Sequence, residues 1–254
     1  MKIQKLTLFI TLLLVLPIGA IHGQSEKSQA FWVHEDVVKP SMIAEYEAVC
    51  SEFTANLKKH NIPEMDFIVT NTNDNRYLWV GPIDNMAQLD KPIFTTLVEK
   101  MGEQAFEALF ERMNKCYDIE HDYILNLDRE LSYMPGGITQ TPEGQNYRKF
   151  HYFNYAPADV DKVRAQSKAI KELFERKGSK MEYRVYRSGF GNRGEYLMVA
   201  IAAESAKDYA SEIESNNELL GEEWLETYNA FLGMMIKVES VEGRMRPEFA
   251  YSQK

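Results

Sequence analysis

His34 and His151 stand 117 residues apart, each in the middle of an alternating, strand-like run. An imidazole titrates near neutral pH, so either ring could act as a general base or as a metal or haem ligand. The plainer role is structural, with the ring hydrogen-bonded to a neighbouring backbone group or tyrosine. In the run 31–38, Phe31, Val33 and Val37 share one side of the strand and Trp32, His34 and Asp36 share the other. The apolar set reads as the helix-packed side. In the second run the side carrying His151 also carries Lys149 and Phe153. Two sheets packed face to face would then send both imidazoles into one shared interior, as catalytic candidates or as ligand contacts.

Aromatic side chains gather on the same strands: Trp32, Tyr77 and Trp79 in the first half, and Phe153, Tyr155 and Tyr196 in the second. They suit either an apolar pocket with polar handles or a plain sandwich core. Arg184, mid-strand, could take a ligand carboxylate, pair with a buried acid or face solvent. His34-Glu35-Asp36 resembles a metal run only in print, because Glu35 points to the opposite face of a strand. No third ligand follows at metal spacing, so no metal site is expected. The G-x-G-x-x-G of Gly189, Gly191 and Gly194 is followed by the strand-like 195–199, not by a helix, and reads as a hairpin loop. No nucleophile elbow, phosphate loop or basic stripe is present.

The elements that must position these residues come in duplicate. His34 falls on His151 and Pro40 on Pro157 at a spacing of 117. After an insertion in one loop, Tyr77, Leu78 and Val80 fall on Tyr196, Leu197 and Val199, and Gly102-Glu103 falls on Gly221-Glu222. Such self-similarity marks a fused pseudo-dimer. In each copy the hydrophobic periods predict a strand, a helix, two hairpin strands, a helical region and a closing strand. The copies span 29–131 and 146–249. Between them, Pro135-Gly136-Gly137 and Pro142-Glu143-Gly144 mark a linker over 132–145, and the tail from Arg246 is expected to be irregular.

Lys2 and Lys5 precede the apolar run 6–21, and polar sequence begins at His22-Gly23, the pattern of a signal peptide over 1–23. Export to a periplasm or out of the cell is the expectation. No later segment is long and apolar enough to cross a membrane. Loss of the two lysines takes the formal charge from −9 to −11, which repels nucleic-acid phosphates. Cys50 and Cys116 could pair in an oxidising compartment, but two buried free thiols are preferred.

Strand-helix-strand-strand-helix-strand is the order of a ferredoxin-like unit, whose bare sheet face must be covered. Two such units sheet to sheet resemble the dimeric α+β barrel superfamily, which includes antibiotic-biosynthesis monooxygenases and NIPSNAP-like proteins. The resemblance spans residues 29–249 and rests on element order and duplication. It implies an α+β fold with two antiparallel sheets forming one barrel, complete as a pseudo-dimer within one chain and free to form higher oligomers. Superfamily members include cofactor-free oxygenases, haem proteins and proteins of unknown role, so no cofactor is assigned and haem stays open. The expected function is binding of a small, partly apolar ligand inside the barrel. Monooxygenase-like catalysis by the histidines, or an interaction module with a filled barrel, are the alternatives. In the last case the extra helices over 94–116 and 219–235 would carry the partner surface.

Overall fold

The computed structural model describes residues 28–253. The expected signal peptide lies outside them. They form eight strands: β1 (Ser28–Val38), β2 (Ile68–Thr72), β3 (Arg76–Ile83), β4 (Tyr117–Asp128), β5 (Tyr147–Tyr155), β6 (Arg184–Ser188), β7 (Glu195–Ala203) and β8 (Met235–Met245). The helices are α1 (Ile43–His60), α2 (Thr95–Met101) and α3 (Glu103–Asn114) in the first half, and α4 (Val160–Lys177), α5 (Ala206–Leu220) and α6 (Glu222–Leu232) in the second. No described helix is long and apolar enough to cross a membrane.

Local sequence sets these boundaries. Pro40 and Pro157 open short 3-10 turns into α1 and α4, where a missing N–H costs nothing. Asn61 and Gly178 end those helices in the left-handed conformation. The paired Gly102 and Gly221, both at positive φ, split the helical region of each half in two.

All eight strands are antiparallel and close on themselves in the order β1-β3-β2-β8-β5-β7-β6-β4. Each half contributes one ferredoxin-like four-strand unit, and the β2–β8 and β4–β6 pairs stitch the units edge to edge. Closure removes every free sheet edge. Helices then cover the outside of each unit.

The connecting segments are built in. After β4, Tyr133 pairs with Tyr183 ahead of β6, and after β8, Tyr251 pairs with Phe67 ahead of β2. Each unit's C-terminal extension thus clasps the other unit. The tail expected to be irregular is a packed strap: Phe249 and Tyr251 are buried, and the Thr54 and Tyr251 hydroxyls donate to the Phe249 and Ile62 carbonyls. In the segment expected as a linker, the carbonyls of Thr139, Gln140 and Gln145 accept from the guanidiniums of Arg184 and Arg148.

The glycine-rich loop joins β6 to β7, as its sequence predicts. Gly191 has φ +86°, and a Cβ there would lie 2.5 Å from the Asp122 carbonyl oxygen of β4. Gly191→Ala should lower the unfolding free energy by about 2–4 kcal/mol, read from the urea midpoint, since steric overlap adds to left-handed strain of about 1–3 kcal/mol. Gly194→Ala, with open space around its Cβ, should show the strain alone.

Candidate functional site

The barrel interior is a packed core. Phe31, Val33, Leu125, Leu127, Phe150, Tyr186, Tyr196, Met198 and Ala200 meet there and are buried. Eight strands enclose about the width that side chains can fill. This inverts the expected facing of β1 and β5. The apolar set Phe31/Val33 points into the barrel, and Trp32, His34 and Asp36 point outward to the helices. The physical reason is closure: the sealed barrel encloses the Phe31/Val33 and Phe150 sides together with a few bonded polar groups such as Glu35 and Arg184, and the helix-covered face takes the mixed aromatic and polar set. His34 and His151 therefore do not share one enclosure. Each faces the helices of its own half.

On the outer face of the second half lies a cavity of about 270 Å³, between the sheet and α4–α6. His151, Phe153, Val185, Leu197, Val199 and Ile201 form its floor. Helix α4 contributes Ser167, Ile170 and Phe174, α5 contributes Tyr209, Ile213, Asn216 and Asn217, and α6 contributes Trp224, Tyr228 and Phe231. The Tyr183 hydroxyl, also on the wall, is buried without a hydrogen-bond partner. The lining is mainly apolar with a few converging polar groups, the usual make-up of a small-molecule site, and its size sits near the lower end of the usual ~300–1,000 Å³.

The duplication shows why the cavity is there. β1 pairs His34 with Trp79 and β5 pairs His151 with Val199, so Val199 takes the place of Trp79. On the helices, Ile170 stands for Phe53 and Ile213 for Phe94, as the shared helix starts and the two glycines align them. In the first half, the Phe53 ring stacks edge-on against Trp79, Phe94 and Phe110 at centroid distances of 5.9, 6.3 and 5.7 Å. Three large rings have become one valine and two isoleucines, and all three smaller residues line the cavity.

His151 sits at the polar end. Its Nδ1 lies 2.7 Å from Ser240 Oγ and its Nε2 3.0 Å from the Tyr209 hydroxyl. Burial, aided by the positive charge of Lys149, pushes its pKa down to about 4, so the ring is neutral at pH 7. Burial pushes the Tyr209 phenol up to about 12. A neutral imidazole wired to a phenol at a cavity wall can orient a ligand hydroxyl by hydrogen bonding.

His34 occupies the same strand position with the opposite electrostatics. Its Nδ1 is 3.1 Å from Asp122 Oδ1 and its Nε2 3.2 Å from Asp36 Oδ1. Burial disfavours its charge, but the neighbouring carboxylates of Asp36 and Asp122 outweigh that and raise its pKa to about 9. Trp32 Nε1 donates to Asp122 (2.9 Å), Tyr46 donates to Asp36 Oδ2 (2.5 Å), and Trp79 Nε1 donates to Tyr46 (2.9 Å).

The other expected site residues scatter. Phe153 joins His151 in the cavity. Tyr77 packs outward in the first half and bonds Glu47 at 2.6 Å, whereas Tyr196 points into the barrel and bonds Asn192. The expected Tyr77–Tyr196 match is one residue off: the ladders align Tyr77 with Leu197, and a one-residue slip swaps the faces of a strand. Tyr155 packs in the outer core of the second half. Arg184 is 2% exposed in the barrel lining and donates to the Thr139 and Ala200 carbonyls, not to an acid. Tyr209, Ser240 and Tyr183 were missed. Tyr209 had a signal, since it sits one turn before Ile213 on the face of α5 that packs inward. Both thiols are free and buried.

A haem does not fit these residues. Both His151 nitrogens are held by hydroxyls that would have to leave before either could reach iron. His34 is held by two carboxylates and faces a polar cluster.

No family model matches the chain, and no curated protein matches it in sequence. Solved structures do match its fold. A candidate monooxygenase from Lactobacillus acidophilus NCFM superposes with a TM-score of 0.50 at 12% identity, over 87% of this chain and 94% of that one. An anthrone oxidase-like protein superposes at 0.55 and 11% identity, over 87% and 92%. The chain thus has the dimeric α+β barrel fold, built from tandem ferredoxin-like units.

Proposed function

We propose that the second half of the chain binds a small, mainly apolar organic molecule carrying one hydrogen-bonding group, in the cavity between its sheet and α4–α6. The observation that carries this is the replacement of Phe53, Trp79 and Phe94 by Ile170, Val199 and Ile213, which opens about 270 Å³ against an aromatic wall. An aromatic compound of one or two rings suits that space. Its polar group would meet the His151–Tyr209 pair or the unpartnered Tyr183 hydroxyl. The expected location inside the barrel is replaced by this one.

The probe pair naphthalene and 1-naphthol tests it by titration calorimetry. Both should bind the wild type, with 1-naphthol tighter by about five-fold, since one neutral hydrogen bond contributes about 1 kcal/mol. In the double variant Tyr209→Phe/Tyr183→Phe that advantage should disappear while naphthalene binding persists. Failure of both compounds to bind would contradict the proposal.

Catalysis is the second function the site supports, favoured by the neutral His151 at the wall. The fold it shares with a candidate monooxygenase and an anthrone oxidase-like protein is consistent with this. The neutral His151 would accept a hydrogen bond relayed from a phenolic ligand through Tyr209, orienting the ligand and enriching its oxygen in electron density. Oxygen uptake with a phenolic substrate that His151→Gln abolishes would support catalysis, and binding with no uptake would leave a carrier. Export of the mature chain is part of the same proposal and is checked by sequencing its N-terminus.

A further inference from the structure

We propose that His34, Asp36 and Glu120 form a binding site for a divalent transition-metal ion on the outer face of the first half's sheet. β1 and β4 place them together, because Asp36 is directly opposite Glu120 in the ladder and His34 directly opposite Asp122. One ligand atom from each of His34, Asp36 and Glu120 lies within 4.8 Å of the other two. Donors around an ion at about 2.0–2.2 Å sit roughly 3–3.5 Å apart. His34 Nε2 and Asp36 Oδ1, 3.2 Å apart, already have that spacing. Glu120 is exposed and can swing in to complete it.

A second observation points to a ligand. Asp36 is 1% exposed, yet its Oδ1 has no hydrogen-bond partner, and the Nε2 contact is close without being aligned as a hydrogen bond. A buried carboxylate oxygen without a hydrogen bond is costly to leave so. An ion that displaces the Nε2 proton of His34, released to solvent, would bridge Oδ1 and Nε2 and satisfy it. The surrounding groups are those that steady metal ligands: Asp122 holds the other nitrogen of His34 at 3.1 Å and is itself held by Trp32, and Tyr46 holds the other oxygen of Asp36. The second half has Phe153, Val238 and Ser240 in place of Asp36, Glu120 and Asp122 and cannot form such a site. One imidazole with two carboxylates suits Zn²⁺ or Mn²⁺, with water completing the shell.

The test uses the full chain stripped with EDTA and titrated with ZnCl₂ in a calorimeter. One saturable equivalent is expected in the wild type. Glu120→Gln, on an exposed side chain that leaves the core intact, should weaken it at least ten-fold, and His34→Gln should abolish it. Glu218→Gln, on α5, should change nothing. Mn²⁺ should broaden the indole resonances of Trp32 and Trp79 and spare Trp224. Absence of saturable Zn²⁺ binding, equal affinity in all variants, or broadening confined to Trp224 would overturn the site. None of these outcomes depends on the cavity of the second half.

Discussion

Val199→Trp should abolish binding of naphthalene to the second half, lowering its affinity at least a hundred-fold. The substitution restores the residue that the first half carries at the same ladder position, Trp79 opposite His34. In that half the indole is clasped edge-on by Phe53 and Phe67 at 5.9 and 5.3 Å. Placed opposite His151, an indole would project into the volume between Ile170 and Ile213, both cavity-lining. Because the space is already open, the usual overpacking penalty of about 1–3 kcal/mol should be small or absent. The melting temperature should hold or rise while binding is lost, which separates plugging from unfolding. The mirror substitution Trp79→Val should do the reverse to the first half. It removes a partly buried ring and its hydrogen bond to Tyr46, so it should cost about 2–3 kcal/mol. If Val199→Trp kept full affinity, the cavity would not be the binding site.

The second large effect is electrostatic. In metal-free protein, the His34 ring should titrate near pH 9 and the His151 ring near pH 4, read from their C–H resonances. Two histidines at equivalent strand positions would thus differ widely, because one is flanked by Asp36 and Asp122 while the other is half-buried between hydroxyls beside Lys149. The signs follow from the ordinary value of 6.5. His34 binds its proton more tightly when folded, so its contribution is complete below pH 6.5 and is lost as pH rises through 9. His151 binds its proton less tightly when folded, so it is neutral at no cost above 6.5, and stability falls as pH drops from there toward 4. Each contributes at most about 3 kcal/mol. Their joint contribution should peak near pH 6.5. His34→Gln should flatten the alkaline limb of the stability profile, and His151→Gln should flatten the acid limb. A single shared titration near 6.5 would show that neither environment is as described.

Much of the architecture was legible in the residues. The repeated His, Pro and Gly-Glu positions gave the duplication, and the strand after Gly194 identified the glycine loop as a hairpin. The order of periods gave two ferredoxin-like units. The facing of the strands was not legible, because Phe31/Val33 and Trp32/His34 are both apolar enough to be buried. Only barrel closure decides which set goes inside. The register of β7 was masked by a chance match: Tyr196 looks like Tyr77, but ladder pairing aligns Tyr77 with Leu197. That single step hid the Trp79-to-Val199 exchange, the clearest trace of the cavity. Asp36 was read beside His34 but not as its partner, since the role of Glu120 depends on β1–β4 register across some 84 residues of sequence.

The most direct test of where this protein binds uses isoleucine methyl resonances. Ile170, Ile201 and Ile213 line the cavity of the second half, Ile138 packs into the barrel core, and Ile43 and Ile62 belong to the core of the first half. Saturating 1-naphthol in the wild-type chain should shift Ile170, Ile201 and Ile213 strongly by ring currents and leave Ile43, Ile62 and Ile138 in place. Shifts centred on Ile138, or on Ile43 and Ile62, would put the ligand inside the barrel or in the first half and contradict the account.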